Sequence, residues 1–188
     1  MRSLRRSKNK NPLESDGPVV NRARASLFSV AKLLGRVRKQ GTTSVVVTTD
    51  HGLDLTLNYA HNNYLLSRVY NLEISLDLPL DGLPPGLKLS YAGGQGPRFG
   101  GTSELSRRAA GQLNDVIADD FRGIDILNAR TTRHEGGVRL TLTPMGGAFV
   151  WVLLPPVFKT IAFPPGEIGR IQDLFRRINR LAASQLSP

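Results

Sequence analysis

Apolar residues recur along this chain in two periods, and the switches between them mark its elements. From Val19 onward, Val20, Ala23, Leu27, Val30, Ala31, Leu34 and Val37 fall at three- and four-residue steps, which places them on one face of a helix. Arg22, Ser26, Ser29, Lys32 and Arg36 fall largely on its other faces. Arg36, Arg38 and Lys39 stand near the expected C-terminus, where cations suit the negative end of the helix dipole, and Gly41 is the natural stop. Period two then takes over. Residues 43–49, with three consecutive valines, read as a strand. The short turn Asp50-His51-Gly52 leads into Leu53, Leu55, Leu57 and Tyr59, which alternate with polar residues, so the pair predicts a β-hairpin. Leu72, Ile74, Leu76 and Leu78 alternate in the same way, as do Leu87, Leu89 and Tyr91. Such alternation means one buried and one wet face, the mark of an antiparallel sheet.

The second half repeats the switch. A glycine-rich stretch from Gly93 to Gly101 leads into a helix capped by Thr102 or Ser103, with Leu105, Ala109, Leu113, Val116 and Ile117 as its stripe. Strands are expected over 124–132, 138–143 and 148–154, separated by Gly-Gly turns. Residues 149–154 are apolar on both faces, which predicts a central strand ended by Pro155 and Pro156. Residues 158–163 read as a short extended piece. A last helix over 167–184 carries Ile168, Ile171, Leu174, Phe175, Ile178, Leu181 and Ala182 on one face, with Asp173 and Arg177 as an i,i+4 pair. The order α–β4–α–β3–α predicts an α+β fold, with a mostly antiparallel sheet of about six to seven strands and three helices.

Length and composition fit that picture. The 188 residues suit one domain, read as 19–188 behind a disordered basic tail over 1–18. The chain contains no cysteine, so disulfides and thiolate chemistry are excluded. No apolar window approaches the roughly 18 residues of a membrane span, and the basic start lacks the apolar run of a signal peptide, so the expected location is cytoplasmic. Nineteen of the 25 basic residues are arginine, which a GC-rich genome produces as readily as any chemistry does.

The net charge of +10 changes the picture only once it is located. Residues 1–40 hold 11 basic and two acidic residues, whereas the remaining 148 hold 14 and 13. The excess therefore belongs to the N-terminal arm and first helix. Arg2, Arg5, Arg6, Lys8 and Lys10, supported by Arg22, Arg36 and Lys39, form a candidate contact surface for an anionic partner: nucleic acid, an acidic protein or a membrane surface. The arm has no interleaved aromatics for stacking on single-stranded bases. Solubility explains a basic tail as simply.

Candidate chemistry is sparse. The stretch from Gly96 to Gly101 has the glycine spacing of a phosphate-binding loop, but Thr102 stands where its lysine belongs. Phe99 likewise breaks a dinucleotide fingerprint. Arg98, Thr102, Ser103 and His134 mark a possible pocket between helices and sheet near that loop. His51, His61 and His134 are too scattered for a metal motif, and Asp119 and Asp120 would diverge by about 100° on a helix. No motif calls for a cofactor, and no nucleophile elbow or H-E-x-x-H is present. The sequence favours a non-catalytic binding module with a basic arm; the alternative is a small-ligand binder or enzyme using the pocket near residues 93–101.

Overall fold

The structure, a computed structural model, describes residues 11–79, 82–91, 96–117 and 119–184. Helix α1 spans Pro18–Leu34, with proline at its first position, where the missing N–H costs nothing. Its face of Val20, Ala23, Leu27, Val30, Ala31 and Leu34 is buried. Six strands follow: β1 (Arg36–Gln40), β2 (Ser44–Thr48), β3 (Asp54–Tyr64), β4 (Ser67–Pro79), β5 (Leu87–Ser90) and β6 (Arg98–Gly101). Helix α2 (Glu104–Ile117) separates them from β7 (Ile126–His134), β8 (Gly137–Pro144), β9 (Phe149–Val152) and β10 (Val157–Thr160), and helix α3 (Glu167–Ser184) closes the chain.

The α+β class and the antiparallel sheet are as expected, but the sheet is larger. It has ten strands among the described residues, so the order is α–β6–α–β4–α. The path runs β1-β2-β3-β4-β8-β7-β5-β6, every pairing antiparallel, with β9 added beside β4 and β10 beside β9. Tyr59, Tyr70, Leu72, Ile74, Leu140 and Leu142 join residues of all three helices in one continuous core. Helix α3 touches both other helices and β4, and Gln172 donates from its side chain to the Leu34 carbonyl at 2.9 Å.

Four expectations are corrected. The first helix does not run to Gly41. It stops at Leu34, because Gly35 lies so close to the Thr48 carbonyl that any Cβ would collide with it, and the chain leaves as β1. Arg36, Arg38 and Lys39 therefore sit on an edge strand, not at a helix terminus. Residues 98–101, expected in a loop, pair with β5, with Leu89 opposite Phe99. Residues 149–154 are strand only in part: β9 is flanked on both edges, by β4 and β10, but ends at Val152. Only Phe149–Val152 pairs, off the main path, and Leu153 and Leu154 are exposed. Finally, residues 11–17, assigned to the tail by composition, run as turns with Leu13 fully buried. The Arg24 guanidinium holds that segment by donating to the Leu13 carbonyl at 2.6 Å.

β8 and β9 together act as one interrupted strand. Ile74 pairs with Leu142, so unbroken pairing would set Tyr70 opposite Gly146; instead it faces Phe149, with three extra residues accommodated between them. That interruption is filled by Phe163 packing on Gly146 and Gly147, and by the Tyr59 hydroxyl, which donates to the Gly147 carbonyl at 2.9 Å. Burial pushes the Tyr59 phenol up to about 12, so it remains a donor throughout the ordinary pH range.

Candidate functional site

Arg2, Arg5, Arg6, Lys8 and Lys10 lie outside the described residues. Of their supporting cations, Arg22 is exposed on α1, its guanidinium 4.0 Å over the Phe158 ring. Arg36 pairs with Thr48 and Lys39 with Val46, across an irregularity between Val37 and Lys39. Thr48 and Val46 alternate with buried Val45 and Val47, so Arg36 and Lys39 project from the sheet face opposite the helices. Arg22 and this pair are thus on different sides of the sheet. Arg38 is engaged locally, donating to Asp54 at 2.6 Å, while Thr48 donates to the other carboxylate oxygen. The Thr48 hydrogen bond, reinforced by the Arg38 charge, holds Asp54 below the usual carboxylate range.

Of the glycine-rich stretch, residues 93–95 lie outside the described ones, and Arg98–Gly101 form β6. Ser103 and Ser106 cap the start of α2 reciprocally: each backbone N–H donates to the other's hydroxyl, at 2.8 and 3.1 Å. The Thr102 N–H goes to the Gly86 carbonyl, and Phe99 exchanges two hydrogen bonds with the Asn114 side chain. The Phe99, Thr102, Ser103 and Ser106 amides are thus already engaged within the fold. Arg98, Thr102 and Ser103 are exposed, and so is His134, but the structure does not bring Arg98 and His134 together. Lys88 pairs with Arg130, so the Ser90–Arg98 end of β5 and β6 lies level with Asn128, about 20 Å along β7 from His134. His134 instead lies 2.8 Å from Arg139, which forks onto Asp77 at 2.6 and 2.9 Å and holds that carboxyl below its ordinary range. Beside the glycine-rich stretch is an open depression of ≈ 500 Å³, lined by Tyr91, Pro97, Phe121, Ile124, Asp125 and Met145 among others.

The sheet face opposite the helices carries a polar network that no motif in the chain announces. Glu73 accepts from Arg130 at 2.8 Å and from Asn58 at 3.0 Å, so both carboxylate oxygens are occupied by donors. Only the β4–β8–β7 register makes neighbours of Glu73 and Arg130, and no local spacing signals it. Asn11, Pro12 and Glu14 complete a depression of ≈ 360 Å³ around these residues. Ser75 and Thr141 meet at 3.1 Å in the same face.

A third cluster joins Asp119, Asp120, Arg122, Arg170 and Asp173. Asp173 pairs with Arg176 at 2.6 Å rather than with Arg177, which turns to Asp120 at 3.3 Å. That approach lacks hydrogen-bond geometry and leaves Asp120 Oδ2 without a hydrogen-bond partner among the described residues. His51 lies 3.7 Å from Asp173. Among the described residues, no group of three or more His, Asp or Glu side chains could hold a metal ion.

Glu167, at the start of α3, is fully buried. One carboxylate oxygen accepts from the Asp125 N–H at 2.8 Å, and the other has no partner among the described residues. Burial pushes its carboxyl above the ordinary value, as it does for Asp120. A carboxyl with a raised folded-state pKa binds its proton more tightly folded than unfolded, so stability grows as pH falls from neutral toward the ordinary carboxyl range. Asp54 and Asp77 act oppositely, but only below that range, because their folded-state pKa values are lowered. Glu167→Gln keeps the accepting oxygen and removes the charge. Melting temperatures followed between about pH 7 and 5 are expected to rise on acidification for the parent protein and to rise less for the variant. Parallel curves would show that the buried carboxylate is not the source of the slope.

No curated protein and no solved structure matches the chain. Residues 29–182, which run from within α1 to the last turn of α3, match the family described as "Protein of unknown function (DUF3156)". The match covers every strand and both later helices almost entirely, so the chain belongs to this family.

Proposed function

We propose that this protein is a non-catalytic binding module whose N-terminal arm and neighbouring cations engage an anionic partner. The observation that carries this reading is the segregation of charge along the chain. Glu14 and Asp16 are the only acids in the first 49 residues, against Arg2, Arg5, Arg6, Lys8 and Lys10 in the arm and six more cations from Arg22 to Lys39. Some of those six have work inside the fold: Arg24 holds the Leu13 segment, Arg38 pairs with Asp54, and cations on the edge strand β1 discourage pairing with another sheet. The five cations of the arm account for most of the remaining excess.

The test is binding of labelled duplex DNA, as a generic polyanion, across a salt series. The parent is compared with a variant in which the five arm cations are replaced by serine. Substitution is preferable to deletion through residue 18, which would remove buried Leu13. The parent's affinity is expected to fall steeply with salt, and the variant's log–log slope to be shallower by up to about 4. Identical slopes would dismiss the arm.

A second reading rests on the ≈ 500 Å³ depression beside Tyr91 and Pro97, whose partly apolar lining suits a small ligand or substrate. Native mass spectrometry separates the two, since a retained small molecule favours the pocket.

A further inference from the structure

Two turns meet at one end of the sheet. β3 and β4 run on past the last β2 pairing, at Ser44–Asn58; β3 ends at Tyr64, and the turn to β4 carries Leu65 and Leu66. The turn between β9 and β10 carries Leu153, Leu154, Pro155 and Pro156, and the Leu153 N–H donates to the Leu66 carbonyl at 2.9 Å. Leu65 is 97% exposed and Leu154 71%. Among the described residues, six of the twelve exposed large hydrophobics lie here: Tyr64, Leu65, Leu66, Leu153, Leu154 and Val157. Isolated exposed leucines need no explanation, but half of the exposed large hydrophobics among the described residues gathered at two adjoining turns and their flanks do.

The surroundings of this tip say what covers it. Immediately behind lie Trp151, with the Arg68 guanidinium 5.8 Å from its ring, and Phe158, with Arg22 stacked over it. Lys159 follows on β10. The chain holds no acid between residues 55 and 72 or between 136 and 166, and Glu14 shares a depression with Arg68 and His61. Asn11 and Pro12 line that same depression, so the five-cation arm joins the described chain beside this collar. Aliphatic residues outermost, tryptophan and tyrosine near them, and cations behind reproduce the order of a bilayer interface: acyl chains, headgroup boundary and anionic phosphates. A protein partner would call for a broader face, of about 800 Å² on each side. Here the side chains splay from two turns.

We propose that the paired turns insert into the surface of an anionic phospholipid bilayer, with Arg22, Arg68 and Lys159 at headgroup level. The inference deepens the anionic-partner reading and rests on it for its electrostatic part. No helix of the described residues is long and apolar enough to cross a membrane, so the contact is interfacial.

Co-sedimentation with vesicles tests it, using phosphatidylcholine containing about a quarter phosphatidylglycerol against phosphatidylcholine alone. Emission from Trp151, the only tryptophan, is followed in parallel. The parent is expected to bind the mixed vesicles with a blue shift, and L65D/L154D to bind at least about tenfold more weakly. The two side chains are exposed, so the double variant should keep the parent's urea midpoint. If it binds mixed vesicles as the parent does, the tip proposal falls and the anionic reading stands on the arm. If the parent binds DNA but no vesicle, the tip proposal falls in the same way. Equal binding to both vesicle types, lost in L65D/L154D, would support insertion and sink the anionic reading. Self-association abolished by the double variant, with no vesicle binding, would make a second copy of the chain the occupant and overturn the proposal.

Discussion

Phe175→Ala is expected to lower the free energy of unfolding by about 3–5 kcal/mol. Phe175 is 1% exposed on the buried face of α3, between Leu174 and the Ile171 and Ile178 positions one turn away on either side. Its helix contacts both others and β4, so the void would open where the helical layer meets the sheet. The backbone there is pinned from both ends, by Gln172 on the Leu34 carbonyl and by Ala182 against Gly82. Collapse into the void is thereby limited, which favours the upper part of the range. At about 2–4 °C per kcal/mol, the melting temperature should fall by roughly 6–20 °C. Arg180→Ala, an exposed change on the same helix, should stay within about 0.5 kcal/mol. Urea midpoints that agree for both variants would show that α3 is not seated by this ring.

The second large effect concerns one methyl group. At Gly101 an added Cβ would collide with the Ser106 carbonyl and the Arg107 amide nitrogen, all of them backbone atoms that no rotamer change can move. The first turn of α2 crosses β6 at this point, held by the Ser103–Ser106 cap and the Phe99–Asn114 pair. Gly101→Ala must therefore push helix and strand apart, at a cost of about 3 kcal/mol or more. The preceding residue is the control. At Gly100 the nearest atom to an added Cβ is the Lys88 carbonyl oxygen at 3.9 Å, an ordinary contact, so Gly100→Ala should be near neutral. Chemical denaturation of the two variants side by side reads the contrast. Equal midpoints would mean that α2 does not depend on this approach.

What the sequence made legible follows from where each strand sits. Residues 53–59 and 72–78 alternate because their apolar side chains enter the core on one face while polar ones take the other, and they were readable as strands. β1 was not, because an edge strand of Arg, Lys and Gln buries only Val37 in part and continues the apolar spacing of α1. β6 was hidden by its glycines, which mark close approach to a helix as well as they mark a loop. Residues 60–71 lost their alternation because they extend beyond β2 into the tip, where apolar side chains face outward. The sites fared likewise. Arg98 and His134, grouped at one pocket from the sequence, lie about 20 Å apart along β7, and only register reveals the Glu73–Arg130 pair. The tip did leave a sequence signal. Tyr64-Leu65-Leu66 and Leu153-Leu154 are apolar runs at turn positions, where burial cannot account for them.

β4 also has a mechanical meaning. Its thirteen residues run about 40 Å without a break, paired on one edge with β3 and on the other first with β9 and then with β8. It behaves as a beam with one end in the tip and the other under the helices. A load applied at Leu66 would travel along covalent bonds as tension and reach Leu72 and Ile74, at the middle of the core, without crossing a hinge or a loop. The ladders on both edges would meet that load in shear, many hydrogen bonds at once, so whatever the tip holds, the core holds with it.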